Sequence, residues 1–154
     1  MKSSENPFQF DKTEDSSGFL LWQVTNLWQR EIKKALEEHG LTHSQYVLMA
    51  SIYWLTLNNE QVTQVLLSNH TKIDPMTTST VLRALQAKGL VQRQEHATDT
   101  RAKTVELTPL GKGVVQLAVP TVEQFDNDFF SPLKEDIGEF NRKLALLLDF
   151  KAKI

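Results

Sequence analysis

Between residues 74 and 103 the chain gathers side chains suited to gripping an anion. Thr77, Thr78, Ser79 and Thr80 form an unbroken run of hydroxyl residues, and Arg83 follows about one helical turn later. Further on stand Arg93, His96, Thr98, Arg101 and Lys103. Hydroxyls hydrogen-bond phosphate oxygens or base edges, and arginine offers two parallel donors to either. Four consecutive hydroxyl residues are weak helix formers, so stabilising a helix is a poor reason for them. A merely polar helical surface is the other reading of the run. From Lys72 to Lys103 there are six basic and three acidic side chains, whereas the whole chain carries a net charge of -2. Such a local basic field attracts phosphates if the fold collects it on one face. The total charge gives no support by itself.

Other chemistries are poorly represented. The 154 residues contain no cysteine, which removes disulfides, thiolate nucleophiles and cysteine-ligated metals. His39 and His43 are four apart, but Gly40 ends the helix between them, and His70 and His96 are distant in sequence. No metal or cofactor is expected. There is no glycine-rich phosphate cradle and no histidine–carboxylate set, so the chain is not read as an enzyme. The apolar run Leu144 to Leu148 is too short to cross a bilayer, and the N-terminus lacks the order of a signal peptide. A cytoplasmic protein with no membrane association is expected.

The elements that must position these residues follow from periodicity. Residues 1–17 read as a flexible arm. Ser16 or Ser17 caps a helix whose apolar positions include Leu20, Leu21, Val24, Leu27, Trp28, Ile32 and Leu36, and Gly40 stops it. Thr42 caps a second helix, for which Tyr46, Val47, Met49, Ala50, Tyr53, Trp54 and Leu57 are taken as the apolar face. A third, short helix ends near Asn69 and is expected to bury Val65 and Leu66, with Ile73 filling the corner behind it. Asp74 followed by Pro75 marks a strong N-terminus for the hydroxyl-bearing helix, which stops at Gly89. The period then changes. Leu90–Gln94 and Thr104–Thr108 are predicted as two strands of a hairpin with a polar tip, leaning on the helices through Leu90, Val91 and Leu107. Thr108 and Pro109 open another helix, with a bend expected at Pro120, and Ser131 and Pro132 restart a last one. The expected fold class is mainly α with a two-stranded β wing: a winged helix-turn-helix at 41–109 and a helical dimerisation region at 18–40 and 110–151.

These segments resemble the MarR family of bacterial winged-helix regulators. The most specific matches are "KGLV" with the following Arg93, the wing "DTRAK" from Asp99 to Lys103, and "LTPLG" from Leu107 to Gly111. The resemblance covers roughly residues 18–150, its outer helices by layout more than by motif. It implies recognition-helix contacts from Thr77, Thr78, Ser79 and Arg83, and a wing arginine, Arg101, oriented by Asp99. Arg93 and Lys103 match positions that support contacts to the DNA backbone. Ala97 and Thr98 stand where more charged wing residues are common, which bears on wing affinity rather than on fold. Independently of the family, Arg101 is the side chain best suited to a narrow minor groove, and Thr98 lies beside it in the tip. An ordinary surface ion pair with Asp99 is the alternative.

The family's dimer, with first and last helices interwoven, also has a basis in the residues. Ile137, Phe140, Leu144, Leu147 and Leu148 need partners, and a second copy would supply them in two-fold symmetry matching a pseudo-palindromic operator. Family members often bind small aromatic or lipophilic anions between the dimerisation helices and the winged unit. Trp22, Trp28, Tyr46, Tyr53 and Trp54 are candidates to line such a pocket, with Arg30 or His43 as polar partner; core packing is the alternative for each ring. The function expected is that of a homodimeric regulator, more often a repressor, binding double-stranded DNA in response to a small molecule. A winged protein-interaction module without specific DNA binding is the alternative.

Overall fold

The computed structural model describes residues 5–95 and 103–151. The wing-tip candidates Thr98, Asp99 and Arg101, with His96, lie outside the described residues.

Helix α1 spans Ser17–Leu36, its N-cap Ser16 accepting the Phe19 N–H at 3.3 Å. A short 3-10 turn, Glu37–His39, leads to Gly40 and then to α2, His43–Leu57. Thr42 and Gln45 form a reciprocal capping box at its start. Helix α3 spans Gln64–Thr71 behind the cap Thr63, and α4 spans Pro75–Ala87 behind Asp74. Strands β1, Val91–Glu95, and β2, Lys103–Leu107, pair antiparallel with Val91 opposite Leu107 and Arg93 opposite Val105. The hairpin is not left on its own. Thr63 bridges Thr104, and the Val105 N–H donates to the Val62 carbonyl at 2.9 Å, so the chain entering α3 is tied to β2. Helix α5 runs Pro109–Phe130 with Pro120 inside it, and α6 runs Ile137–Leu147. The last helix therefore starts later than Ser131. Residues Ser131–Asp136 form a 3-10 stretch broken at Lys134, whose φ of 51° is not helical.

One core joins the helices to the wing. Ile32 and Leu36 of α1, Leu48, Met49 and Ile52 of α2, Leu67 of α3, Leu82 and Leu85 of α4, Val91, Val105 and Val115 are all buried. Each such side chain stabilises the fold by about 1.5–3 kcal/mol relative to exposure. The apolar face expected for α2 is corrected here: Leu48, Met49, Ile52 and Leu55 point inward, while Trp54 and Leu57 are exposed. Helix α2 lies at the centre, packed against α1, α3, α4 and α5. Its apolar residues consequently encircle it, and periodicity selects no single face. In α3 it is Leu67 that is buried and Val65 that is exposed, because the cap at Thr63 sets the helical phase.

Candidate nucleic-acid interface

Helix α4 begins with a well-made cap. The Asp74 carboxylate accepts the Thr77 backbone N–H at 2.8 Å and its hydroxyl at 2.7 Å, and these two bonds hold Asp74 below the usual carboxylate range. A lowered folded value means that the cap stabilises above the ordinary value of 3.8 and is lost as pH falls through the folded one. The melting-temperature gap between the protein and Asp74→Ala is therefore expected to stay constant from neutrality to about pH 5 and to shrink in stronger acid.

The hydroxyl run divides on folding. Thr78 is 0% exposed, and its hydroxyl donates to the Ile73 carbonyl at 3.3 Å. This corrects its placement among DNA contacts: at helical spacing from Leu82 and Leu85, it belongs to the inward face. Ser68 donates to the same carbonyl at 2.6 Å, so Thr78 and Ser68 together fix the turn between the two helices. The solvent face of α4 carries Met76, Thr77, Thr80, Arg83, Ala84 and Ala87, with Ser79 at its margin. Thr77 and Thr80 spend their protons on Asp74 and on the Met76 carbonyl, and keep acceptor capacity outward. Arg83 is the one full charge on this face.

Arg93 stands at the junction of three elements. From β1 its Nε donates to Gln86 Oε1 of α4 at 3.0 Å, and its Nη1 donates to Gln64 Oε1 at the start of α3 at 3.2 Å. Neither glutamine was legible as a partner from the sequence, since they lie 29 and 7 residues away. Arg93 and Lys103, with Gln86 and Gln94, line a polar hollow of about 200 Å³ beside the α4 terminus. Lys88, also not singled out from the sequence, donates to the Gly40 carbonyl at 2.8 Å and to Gln45 Oε1 at 3.3 Å. It ties the end of α4 to the start of α2.

Residues 37–123 match a family described as ArnR1-like, winged-helix domain. The chain is 40% identical over 123 residues to the uncharacterized HTH-type transcriptional regulator YdcH of Bacillus subtilis, covering 80% of this chain and 84% of that protein. The fold superposes on a MarR-family transcriptional regulator from Rhodococcus sp. RHA1 with a TM-score of 0.78 at 21% identity, covering 94% and 100% of the two chains. It also superposes on Bordetella bronchiseptica BpsR, whose structure addresses regulation of DNA binding by 6-hydroxynicotinic acid, with a TM-score of 0.82 at 23% identity, covering 95% and 100%. The chain belongs to the ArnR1-like winged-helix family.

In this winged-helix chain the aromatic residues expected to share one pocket are dispersed. Tyr46, Tyr53 and Trp54 line a groove of about 660 Å³ between α2 and α5. Trp22 is 68% exposed on α1 and lines none of it. Trp28 donates its indole N–H to Asp126 at 2.9 Å and meets the His43 ring edge-on at 4.9 Å between centroids, a contact inside the α1–α2–α5 packing. Burial pushes the His43 imidazole below its ordinary value against the opposing pull of Asp126. Arg30 is exposed beside Glu31. The polar partners expected for a ligand thus stand apart from the groove. Among the described residues no cluster of three or more acidic or histidine side chains could hold a metal, and no helix is long and apolar enough to cross a membrane.

Proposed function

We propose that the chain is a homodimeric, sequence-specific repressor that occupies a pseudo-palindromic operator and is released by a small aromatic or lipophilic ligand. The observation that carries the reading is the solvent face of α4. It is free of packing, small at Ala84 and Ala87, charged at Arg83 alone, and flanked by a wing base that holds Arg93 in place. An α-helix of this kind fits the major groove, where Arg83 can pair with a guanine edge and the methyls of Met76 and Thr80 can meet thymine. Thr77 and Ser79 lie at the edges of that contact. The Arg93–Lys103 hollow suits a backbone phosphate, and Thr98 with Arg101, oriented by Asp99, extends the contact along the wing. Residues 41–109 are the DNA-binding unit in this reading.

Residues 18–40 and 110–151 form the dimerisation region. Helix α6 buries no residue in its own chain, and Leu144, Leu147 and Leu148 are exposed together with Leu20, Leu21, Trp22 and Val24 of α1. So much apolar surface on two helices calls for a second copy. The regulation of DNA binding in BpsR by 6-hydroxynicotinic acid supports a ligand-responsive switch here.

Selection from random duplexes at physiological salt is expected to yield a two-fold symmetric site, bound by a species of twice 17.6 kDa in sedimentation equilibrium. On that site Arg83→Ala should lower the ratio of specific to random-duplex affinity by about tenfold or more, the range for one bidentate base contact. Thr78→Val should leave the ratio unchanged. Enrichment of no duplex would move the function to protein interaction, and an unchanged ratio for Arg83→Ala would remove its base-reading role.

A further inference from the structure

We propose that the groove between α2 and α5 takes an aromatic or lipophilic cation. The proposal rests on the ligand-responsive reading above and assigns the ligand its charge, opposite to the anion that the family resemblance implies. The walls carry three aromatic side chains, Tyr46, Tyr53 and Trp54, and Trp54 is 61% exposed. Glu123 of α5 is the one lining residue with a full charge at neutral pH, and no lysine or arginine lines the groove. No cation is paired with the Glu123 carboxylate among the described residues. His70 is the remaining titratable group on the walls besides the tyrosines.

Aromatic rings beside a carboxylate form a chemically specific combination. An ammonium or a delocalised aromatic cation gains from the negative faces of the rings and from the carboxylate together, in a site that is mostly apolar. An anion of the same shape would meet Glu123 with no lysine or arginine on the walls to offset it, since Arg30 and the Trp28 indole N–H are engaged elsewhere. The local field has the same sign. The Tyr46 hydroxyl is pushed up to about 12, first by burial and then by Glu123 and Asp126. Specificity within the cations has an anchor as well. Gln116 donates its amide to the Tyr53 oxygen at 3.2 Å, which leaves the Tyr53 O–H proton to a ligand acceptor.

The test is calorimetry on the full chain with three probes that differ in charge: naphthylmethyl-trimethylammonium, naphthalenemethanol and naphthaleneacetate. The cation is expected to bind at least about tenfold more tightly than the other two. Glu123→Gln should weaken the cation by about tenfold and leave the alcohol unchanged, with circular dichroism and melting temperature confirming that the variant is folded. Equal or tighter binding of the acetate, or an unchanged cation affinity in Glu123→Gln, overturns the charge assignment and leaves a ligand-responsive regulator standing. Binding of none of the three overturns the groove as a cation site, and the regulator reading then stands or falls on the operator selection above.

Discussion

Gly111→Ala is expected to cost at least about 3 kcal/mol of stability, enough to leave a chain of this size largely unfolded at moderate urea. A Cβ built at Gly111 collides with the Leu90 carbonyl oxygen and falls 2.9 Å from its carbon. Neither atom can yield. Leu90 is pinned because its carbonyl accepts the Thr108 N–H at 3.0 Å while its own N–H donates to Leu85. Thr108 in turn donates its hydroxyl to the Gly89 carbonyl at 2.6 Å and accepts the Gly111 N–H at 3.0 Å. The end of α4 and the start of α5 are thus fastened around one threonine, at a separation that admits no side chain on Gly111. Relief would require α5 to move away from the wing, opening the core at Val91 and Val115. Gly113→Ala is the matched control, since nothing lies within 4 Å of its Cβ and its place inside a helix favours alanine by about 0.5–1 kcal/mol. Urea unfolding of both variants reads the contrast. Similar midpoints for the two would show that the junction tolerates a shift which these contacts deny.

That junction also shows what the sequence disclosed and what it withheld. "KGLV" and "LTPLG" are recognisable as motifs because each has a local reason: a left-handed glycine after α4, with φ of 73° at Gly89, and a threonine cap with proline at the first helical position of α5. Caps of this kind act within three residues, so Ser16, Thr42, Asp74 and Thr108 were all legible and the helix order with them. The motif does not state that its halves touch. The same limit explains the errors within elements. Thr78 sits in a run of four hydroxyls, and only the burial of Leu82 and Leu85 decides that it faces inward with them. Helix α2 is apolar around its circumference, so its true face depends on four neighbours. The aromatic residues could be named as a set, but only tertiary packing separates Trp28, held by Asp126, from Tyr46, Tyr53 and Trp54 along the groove. Glu123, the groove's charge, was invisible because it lies 77 residues from Tyr46, on a helix read for its apolar side.

Arg93→Ala is expected to weaken operator binding by about tenfold to a hundredfold while leaving the preference among sequences nearly intact. The two glutamines take the Nε and one Nη1 proton of the guanidinium, leaving three of its five donors for a ligand. Those amides are neutral acceptors, so they orient the cation without neutralising it. A carboxylate in either place would have cancelled the charge that a phosphate needs. The arrangement separates two contributions that variants can resolve. Arg93→Ala removes charge and geometry together, and the slope of log affinity against log salt should fall by about 0.9, the release of one phosphate's counterions. Arg93→Lys keeps the charge and should keep the slope, but a single ammonium cannot bridge Gln64 and Gln86 and still present a fork, so affinity should not return fully. Gln64→Ala with Gln86→Ala keeps the arginine itself and should lower affinity at an unchanged slope, because the side chain must then be ordered when DNA binds. Full affinity in that double variant would show that the glutamines merely pack against Arg93. Full affinity and an unchanged slope in Arg93→Ala would place the phosphate elsewhere on the wing.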